Sequence, residues 1–138
     1  RRHTWRQKVI INNLDGSRHV FYVDFGEYED GRLGEIFIVA HRTGTFVRGT
    51  LDTLARSISL ALQSGTSPRD MAKMLIGQNY PPSGQVEAKS SLVKTCTSIA
   101  DYIGQEIYSC YGEDGKRITI SQKDNVIGYK SPDWRSGA

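Results

Sequence analysis

The chain of 138 residues has few of the features that mark membrane, secreted or metal-dependent proteins. No apolar run approaches the roughly 20 residues that a helix needs to cross a bilayer. The basic start at Arg1 and Arg2 is not followed by the apolar stretch of a secretory signal peptide. We therefore expect a cytoplasmic protein with no membrane partner. The length suffices for one domain and is short of two.

Cysteine is scarce, with only Cys96 and Cys110 present. If both lie on one helix, about 14 residues at a rise of about 1.5 Å each separate them by roughly 20 Å. A disulfide needs Cα atoms within about 7 Å of each other, so that arrangement forbids an internal bridge. We expect two reduced, buried thiols with no role in activity.

Histidine is also scarce, and His3, His19 and His41 are not paired at the spacing of a zinc site. The chain lacks the Gly-Lys-[Ser/Thr] sequence of a P-loop. No cysteine or serine stands beside an evident base, as nucleophilic catalysis requires. The sequence thus predicts no metal, no resident cofactor and no enzyme activity for this chain alone.

The net charge is only +3, but the charges are unevenly placed. Basic residues at the N-terminus are Arg1, Arg2, Arg6 and Lys8, and acidic residues around the first long turn are Glu27, Glu29, Asp30 and Glu35. A basic terminus can contact nucleic acid, but such ends are more often solvated, so nucleic acid is not an expected partner. The acidic turn is likewise expected to be solvated.

Alternating apolar and polar residues predict three strands in the first forty residues, at 8–12, 18–25 and 35–40. The dipeptide Asp15-Gly16 between the first two is typical of a hairpin turn, because both positions tolerate positive φ. The third strand carries apolar residues on both faces. We therefore expect it to be central in its sheet and covered on both sides.

Helical periodicity begins at the segment Thr43-Gly44-Thr45 and ends near Gly65, a residue type typical of helix C-termini. Ser67-Pro68 and Ser98 have the capping chemistry of two further helix starts. Another strand is expected at 117–121. The pattern predicts one α+β domain over residues 1–122, with a small, mainly antiparallel sheet packed by two to three helices. The polar tail 123–138 is expected to be weakly ordered.

The junction between the third strand and the first helix is the candidate ligand site. Its residues are His41, Arg42, Thr43, Gly44 and Thr45, with Arg48 one turn further on. A helix N-terminus presents unpaired N–H groups and a partial positive charge to an anion. Glycine allows close backbone approach, while the hydroxyls and cations add donors. In the alternative interpretation, Thr43 or Thr45 caps the helix and Arg42 is solvated; both interpretations are open at this point.

Five segments in a fixed order carry a resemblance to a known family. They are 26–38 (GEYEDGRLGEIFI), 41–45 (HRTGT), 59–65 (SLALQSG), 82–84 (PSG) and 98–103 (SIADYI). Over about residues 7–110 the chain resembles the TSCPD domain near the C-terminus of adenosylcobalamin-dependent (class II) ribonucleotide reductases. The catalytic barrel of those enzymes, with its radical cysteine and cobalamin site, has no counterpart here, and neither has their cysteine-rich tail. The resemblance therefore implies the accessory domain and not the reductase activity.

The resemblance implies a non-catalytic module that binds a nucleotide or another phosphate-bearing small molecule. Because small stand-alone relatives occur in bacteriophage genomes, one alternative is a phage protein that sequesters a cyclic or signalling nucleotide to block host immune signalling. A further alternative is a structural oligomerisation domain. The apolar residues Leu60, Ile76 and Val126 lie outside the apolar faces of the predicted helices. They are therefore expected to need packing partners from another copy of the chain. We therefore expect a symmetric homo-oligomer, most simply a dimer.

Overall fold

The structure is a computed structural model that describes residues 2–40 and 43–118. The predicted tail 123–138 and the predicted domain boundary at 122 lie outside these residues, and so does most of the predicted strand 117–121. Of the candidate site, His41 and Arg42 also lie outside them.

The described residues form five strands and three helices. In chain order these are β1 (Arg2–Asn13), β2 (Arg18–Tyr28), β3 (Leu33–Ala40), α1 (Thr45–Gln63), α2 (Pro68–Leu75), β4 (Gly84–Glu87), β5 (Thr95–Cys96) and α3 (Ile99–Cys110). The strands pair in the order β3-β2-β1-β4-β5, and every pairing is antiparallel. The predicted α+β class is confirmed. Sequence patterns did not predict the two short strands β4 and β5.

The β1–β2 hairpin forms at the predicted turn. Gly16 has a φ of 89°, and its N–H donates to the carbonyl of Asn13 at 2.9 Å. Positive φ is readily accessible to glycine because it has no Cβ. The two strands remain in register along their whole length, from Arg2 opposite Tyr28 to Asn12 opposite Arg18. The strand predicted at 8–12 is therefore considerably longer than its apolar centre indicated.

Strand β3 lies at the edge of the sheet, so the prediction of a central strand covered on both sides was wrong. Ile36 and Ile38 are buried beneath α1, whereas Phe37 and Val39 are 47% and 48% exposed on the opposite face. An apolar side chain on a strand shows only that the position is compatible with burial. Whether another layer covers it depends on the tertiary structure.

Helix α3 forms the centre of the helical layer, since every residue from Ile99 to Cys110 except Tyr108 is buried. Its N-terminus is capped as predicted, with the Ser98 hydroxyl accepting from the Asp101 N–H at 2.9 Å. The two helices α2 and α3 pack closely around Ile76, which is only 6% exposed. Ile76 therefore packs within its own chain, and the prediction that it needs a partner elsewhere was wrong.

Both cysteines are buried thiols that form no disulfide, as predicted. The reason given for their separation was wrong, because Cys110 ends α3 whereas Cys96 lies on β5. The segment before Ser98 has an extended backbone and pairs with β4, so helical periodicity does not continue back to Cys96.

Candidate functional site

The β3–α1 junction places four of the predicted site residues at one helix end. Gly44 is the N-cap residue of α1, with extended backbone angles of φ −71° and ψ 168°. Thr45 is the first helical residue, Thr43 precedes the cap, and the side chain of Arg48 is exposed in the first turn. The predicted helix start is therefore confirmed. The contribution of His41 and Arg42 stays a prediction, since both lie outside the described residues.

The N-terminus of α1 carries no side-chain cap and no acidic residue in its first turn. The other two helices differ: Ser67 and Ser98 accept from first-turn N–H groups, and each helix has an aspartate in its first turn. The alternative interpretation, in which a threonine caps α1, is therefore not what the structure shows. A helix of 19 residues is left with its positive end uncompensated by these usual means.

The hydroxyl of Thr43 lies beside this helix end. Its Oγ1 atom is buried and has no hydrogen-bond partner among the described residues. Buried polar atoms are nearly always paired, because a lost hydrogen bond to water costs about 1–3 kcal/mol. Arg48 forms no ion pair with any described residue. The junction thus combines a helix terminus with a guanidinium that has no ion-pair partner, and a hydroxyl that has no hydrogen-bond partner, within the described part of the chain.

A second polar cluster lies at the opposite end of β2, and sequence reasoning missed it. Glu27 is 6% exposed, so the expectation that it is solvated was wrong. Its Oε2 atom accepts hydrogen bonds from Trp5 Nε1 at 3.0 Å, the Tyr111 hydroxyl at 2.5 Å and Arg117 Nη1 at 3.2 Å. Burial, followed by the hydrogen bond to Glu27, raises the pKa of the Tyr111 phenol well above its usual value. The sequence feature that could have revealed the burial of Glu27 is the alternation in β2, which places position 27 on the same inward face as Phe25.

The described residues offer no site for a metal ion, since no group of three or more histidine, cysteine, aspartate or glutamate side chains lies close enough together. None of the described helices is long and apolar enough to cross a membrane. The groups present at the β3–α1 junction are N–H donors, hydroxyls and a guanidinium, which are the kinds of group that can bind an anion.

Comparison with known proteins identifies the family of this domain. Residues 1–110 match the family model described as the TSCPD domain. The chain belongs to the TSCPD domain family. A vitamin B12-dependent ribonucleotide reductase from Bradyrhizobium diazoefficiens is 35% identical over 111 residues, and one from Agrobacterium fabrum is 33% identical over the same length. A third, from Rhodopirellula baltica, is 29% identical over 99 residues.

The match covers most of this TSCPD domain but little of its relatives. The first two alignments span 80% of this chain and 8% of each reductase, and the third spans 72% and 9%. No solved structure matches the chain at a significant level. The relation to the reductases' TSCPD region is thus shown for this domain alone.

Several residues of the five resembling segments have structural roles in this TSCPD domain. Ser59 and Gln63 hydrogen-bond to the backbone at the edge of β3. A Cβ atom at Gly34 would lie 2.7 Å from the Tyr28 ring, so only glycine fits beneath that aromatic side chain. By contrast, no residue within 2–40 and 43–118 bonds to the Thr43 hydroxyl, and a Cβ at Gly44 would meet no atom within 4 Å. Gly44 therefore makes no close packing contact of the kind found at Gly34.

Proposed function

We propose that this TSCPD domain is a non-catalytic module that binds a nucleotide or another phosphate-bearing small molecule at the N-terminus of α1. The observation that carries the proposal is the uncapped helix end, with Gly44 as N-cap, no acidic first-turn residue and an unpaired Thr43 hydroxyl beside it. A phosphate oxygen accepts hydrogen bonds from first-turn N–H groups and is attracted by the helix dipole.

Two arginine side chains add positive charge at this helix end. Arg48 lies in the first turn, and Arg42 is placed by sequence immediately before Thr43. Guanidinium groups bind phosphate oxygens through charge-assisted hydrogen bonds, often in pairs. The relatives are named as ribonucleotide reductases. A module that holds a nucleotide by its phosphates suits a chain that corresponds to a small part of such an enzyme.

The test is calorimetry of the purified chain with inorganic phosphate, pyrophosphate, nucleoside mono-, di- and triphosphates, and a cyclic dinucleotide. Arg42→Ala and Arg48→Ala should each weaken binding roughly ten- to hundredfold, since a charged hydrogen bond contributes about 1.5–3 kcal/mol. Arg56→Ala is the matched control, because Arg56 is exposed on the same helix and pairs with Asp52 at 2.8 Å. It should bind like the wild type.

Gly44 permits a sharper comparison. Gly44→Asp should place a carboxylate on the first-turn N–H groups, stabilising α1 by about 1 kcal/mol while expelling the anion. Gly44→Ala fits the same φ and ψ with no clash and leaves those N–H groups open, so it should still bind. The proposal fails if no phosphate compound binds, or if a bound compound is indifferent to Gly44→Asp and to both Arg42→Ala and Arg48→Ala.

The same panel distinguishes the biological alternatives. Preference for a cyclic or signalling nucleotide over ordinary nucleotides would support a phage protein that sequesters such a signal. Absence of any ligand would support a structural oligomerisation domain, which the exposure of Phe37, Val39 and Leu60 also favours.

A further inference from the structure

A groove with a volume of about 530 Å³ lies beside β1, away from the α1 N-terminus. One wall is formed by β1 residues 6–10, and the other by residues 87–90, where the chain leaves the sheet after β4. Ser90, at the end of this wall, has a φ of 66°, a backbone conformation that serine rarely adopts. The two chain segments therefore diverge and leave an open space between them.

The groove exposes an unpaired stretch of strand edge. Strand β4 pairs with β1 only from Ile10 to Asn13, whereas β2 pairs with β1 along its full length. The Asn13 N–H donates to Ser17 on β2, so odd-numbered residues of β1 exchange hydrogen bonds with β2. The N–H and C=O groups of Arg6 and Lys8 consequently point toward the groove. Apart from a 3.3 Å bond from the Gln7 side chain to the Lys8 carbonyl, no described residue bonds to them.

Charge disfavours a longer β4. In the β1–β4 register, Glu87 lies opposite Ile10, so a longer β4 would place Lys89 directly opposite Lys8. Like charges at directly opposed positions destabilise a strand pair. Neither ammonium group has a partner among the described residues, whereas Arg6 is held by Asp24 at 2.7 Å. Within the described part of the chain, the groove therefore carries two unpaired ammonium groups, while its one carboxylate, Glu87, accepts from Asn12 at 2.8 Å and lies 4.0 Å from Arg18.

We propose that the Arg6–Lys8 edge of β1 is a docking site for an extended acidic peptide segment of another protein. The segment adds a strand to the sheet where β4 stops, and an aspartate or glutamate of this segment lies opposite Lys8. Its main chain supplies both donors and acceptors, which matches the alternating N–H and C=O groups of the edge. A phosphate group is compact and carries mainly acceptors, so it cannot pair with N–H and C=O groups that alternate along the edge, and the edge geometry favours a strand.

The binding test uses a fluorescent peptide of alternating glutamate and valine and a lysine–valine peptide of equal length, measured by anisotropy. The acidic peptide should bind at least tenfold more tightly than the basic one. Lys8→Glu should reverse that preference, while Lys116→Glu, an exposed charge reversal elsewhere, should preserve it. In the bound peptide, the N–H groups of every second residue point toward β1. N-methylation of those residues should abolish binding, whereas N-methylation of the residues between them should not. Equal binding of the two peptides, or indifference to the position of the N-methyl groups, overturns the proposal.

Amide hydrogen exchange provides an independent readout. In the free chain the Arg6 and Lys8 amides should exchange much faster than those of Gln7 and Val9, which are bonded to β2. Saturating acidic peptide should slow them at least tenfold. Protection of Arg6 and Lys8 in the free chain overturns the proposal, and a rise of that protection with protein concentration would assign the edge to a second copy. Because no residue lining the groove belongs to the β3–α1 junction, Lys8→Glu should leave any phosphate binding at that junction unchanged.

Discussion

The side chain of Ser59 on α1 pairs with the backbone of Ile36 at the free edge of β3. Its hydroxyl accepts from the Ile36 N–H at 2.9 Å and donates to the Ile36 carbonyl at 3.1 Å. One turn later, Gln63 Nε2 donates to the Gly34 carbonyl at 3.1 Å. Edge strands expose backbone groups that invite pairing with other chains. Helix α1 thus occupies part of that edge with side chains in place of a sixth strand.

We predict that Ser59→Ala destabilises the fold by about 1–3 kcal/mol, because it leaves a buried N–H and a carbonyl of Ile36 without partners. Ser57→Ala is the matched control. Ser57 is exposed on the same helix and bonds only to the carbonyl of Thr53, so its loss should change stability by less than about 0.5 kcal/mol. Urea denaturation measures both. Equal stability of the two variants would show that the edge contact is unimportant.

Glu27 should be among the most sensitive positions outside the apolar core. Glu27→Ala leaves the buried Tyr111 hydroxyl and the Arg117 guanidinium without their acceptor, and the Trp5 N–H with only the Tyr111 oxygen, which should destabilise the fold by about 3 kcal/mol. Glu29→Ala, two residues along the chain and exposed, should have little effect. Thermal unfolding of the two variants beside the wild type is the measurement, and a Glu27→Ala transition close to that of Glu29→Ala contradicts the prediction.

Stability should fall steeply in alkaline solution. Burial, and then the neighbouring carboxylates of Glu106 and Glu27, raises the pKa of Tyr102 and of Tyr111 above the ordinary value of 10. Above pH 10 the unfolded chain releases these two protons while the folded chain keeps them, so stability decreases as pH rises. Each tyrosine should contribute about 1.4 kcal/mol per pH unit.

Denaturation series between pH 9 and pH 12 test this dependence. The absorbance of ionised tyrosine should show the same two residues titrating only as the chain unfolds. Tyr111→Phe removes one of the protons, so its stability should fall less steeply with pH, although the variant is less stable at neutral pH. Normal titration of all tyrosines in the folded state would contradict the prediction.

A homo-oligomer, most simply a dimer, stays a prediction. Its support is now the exposed apolar surface of β3 and α1, where Phe37, Val39 and Leu60 are 47%, 48% and 67% exposed. Light scattering at tens of micromolar should give twice the chain mass of 15.4 kDa. Leu60→Glu should lower the measured mass toward that of the monomer. Leu14→Glu should not lower it, because Leu14 is an apolar residue, 88% exposed, that lies on the hairpin turn. A wild-type chain that scatters as a monomer refutes the prediction.

Short-range signals in the sequence were sufficient to locate the turns and helix ends. The Asp15-Gly16 turn, the Ser67 and Ser98 caps and the Gly65 terminus all formed as predicted. Each depends on the φ preference of one residue or on a hydrogen bond spanning three or four positions, so nearby sequence determines it. The start of α1 at Thr45, and with it the location of the candidate site, belongs to the same class.

Tertiary structure decided everything that depends on distant neighbours. It placed β3 at an edge, buried Glu27 against Tyr111, and left α1 without a threonine side-chain cap. The chain alone specifies which residues are apolar and which can donate or accept. Whether an apolar face is covered, or a polar atom is paired, depends on contacts between segments up to 106 residues apart, as between Trp5 and Tyr111. Local periodicity carries no information about such contacts, because burial is a property of the assembled layers.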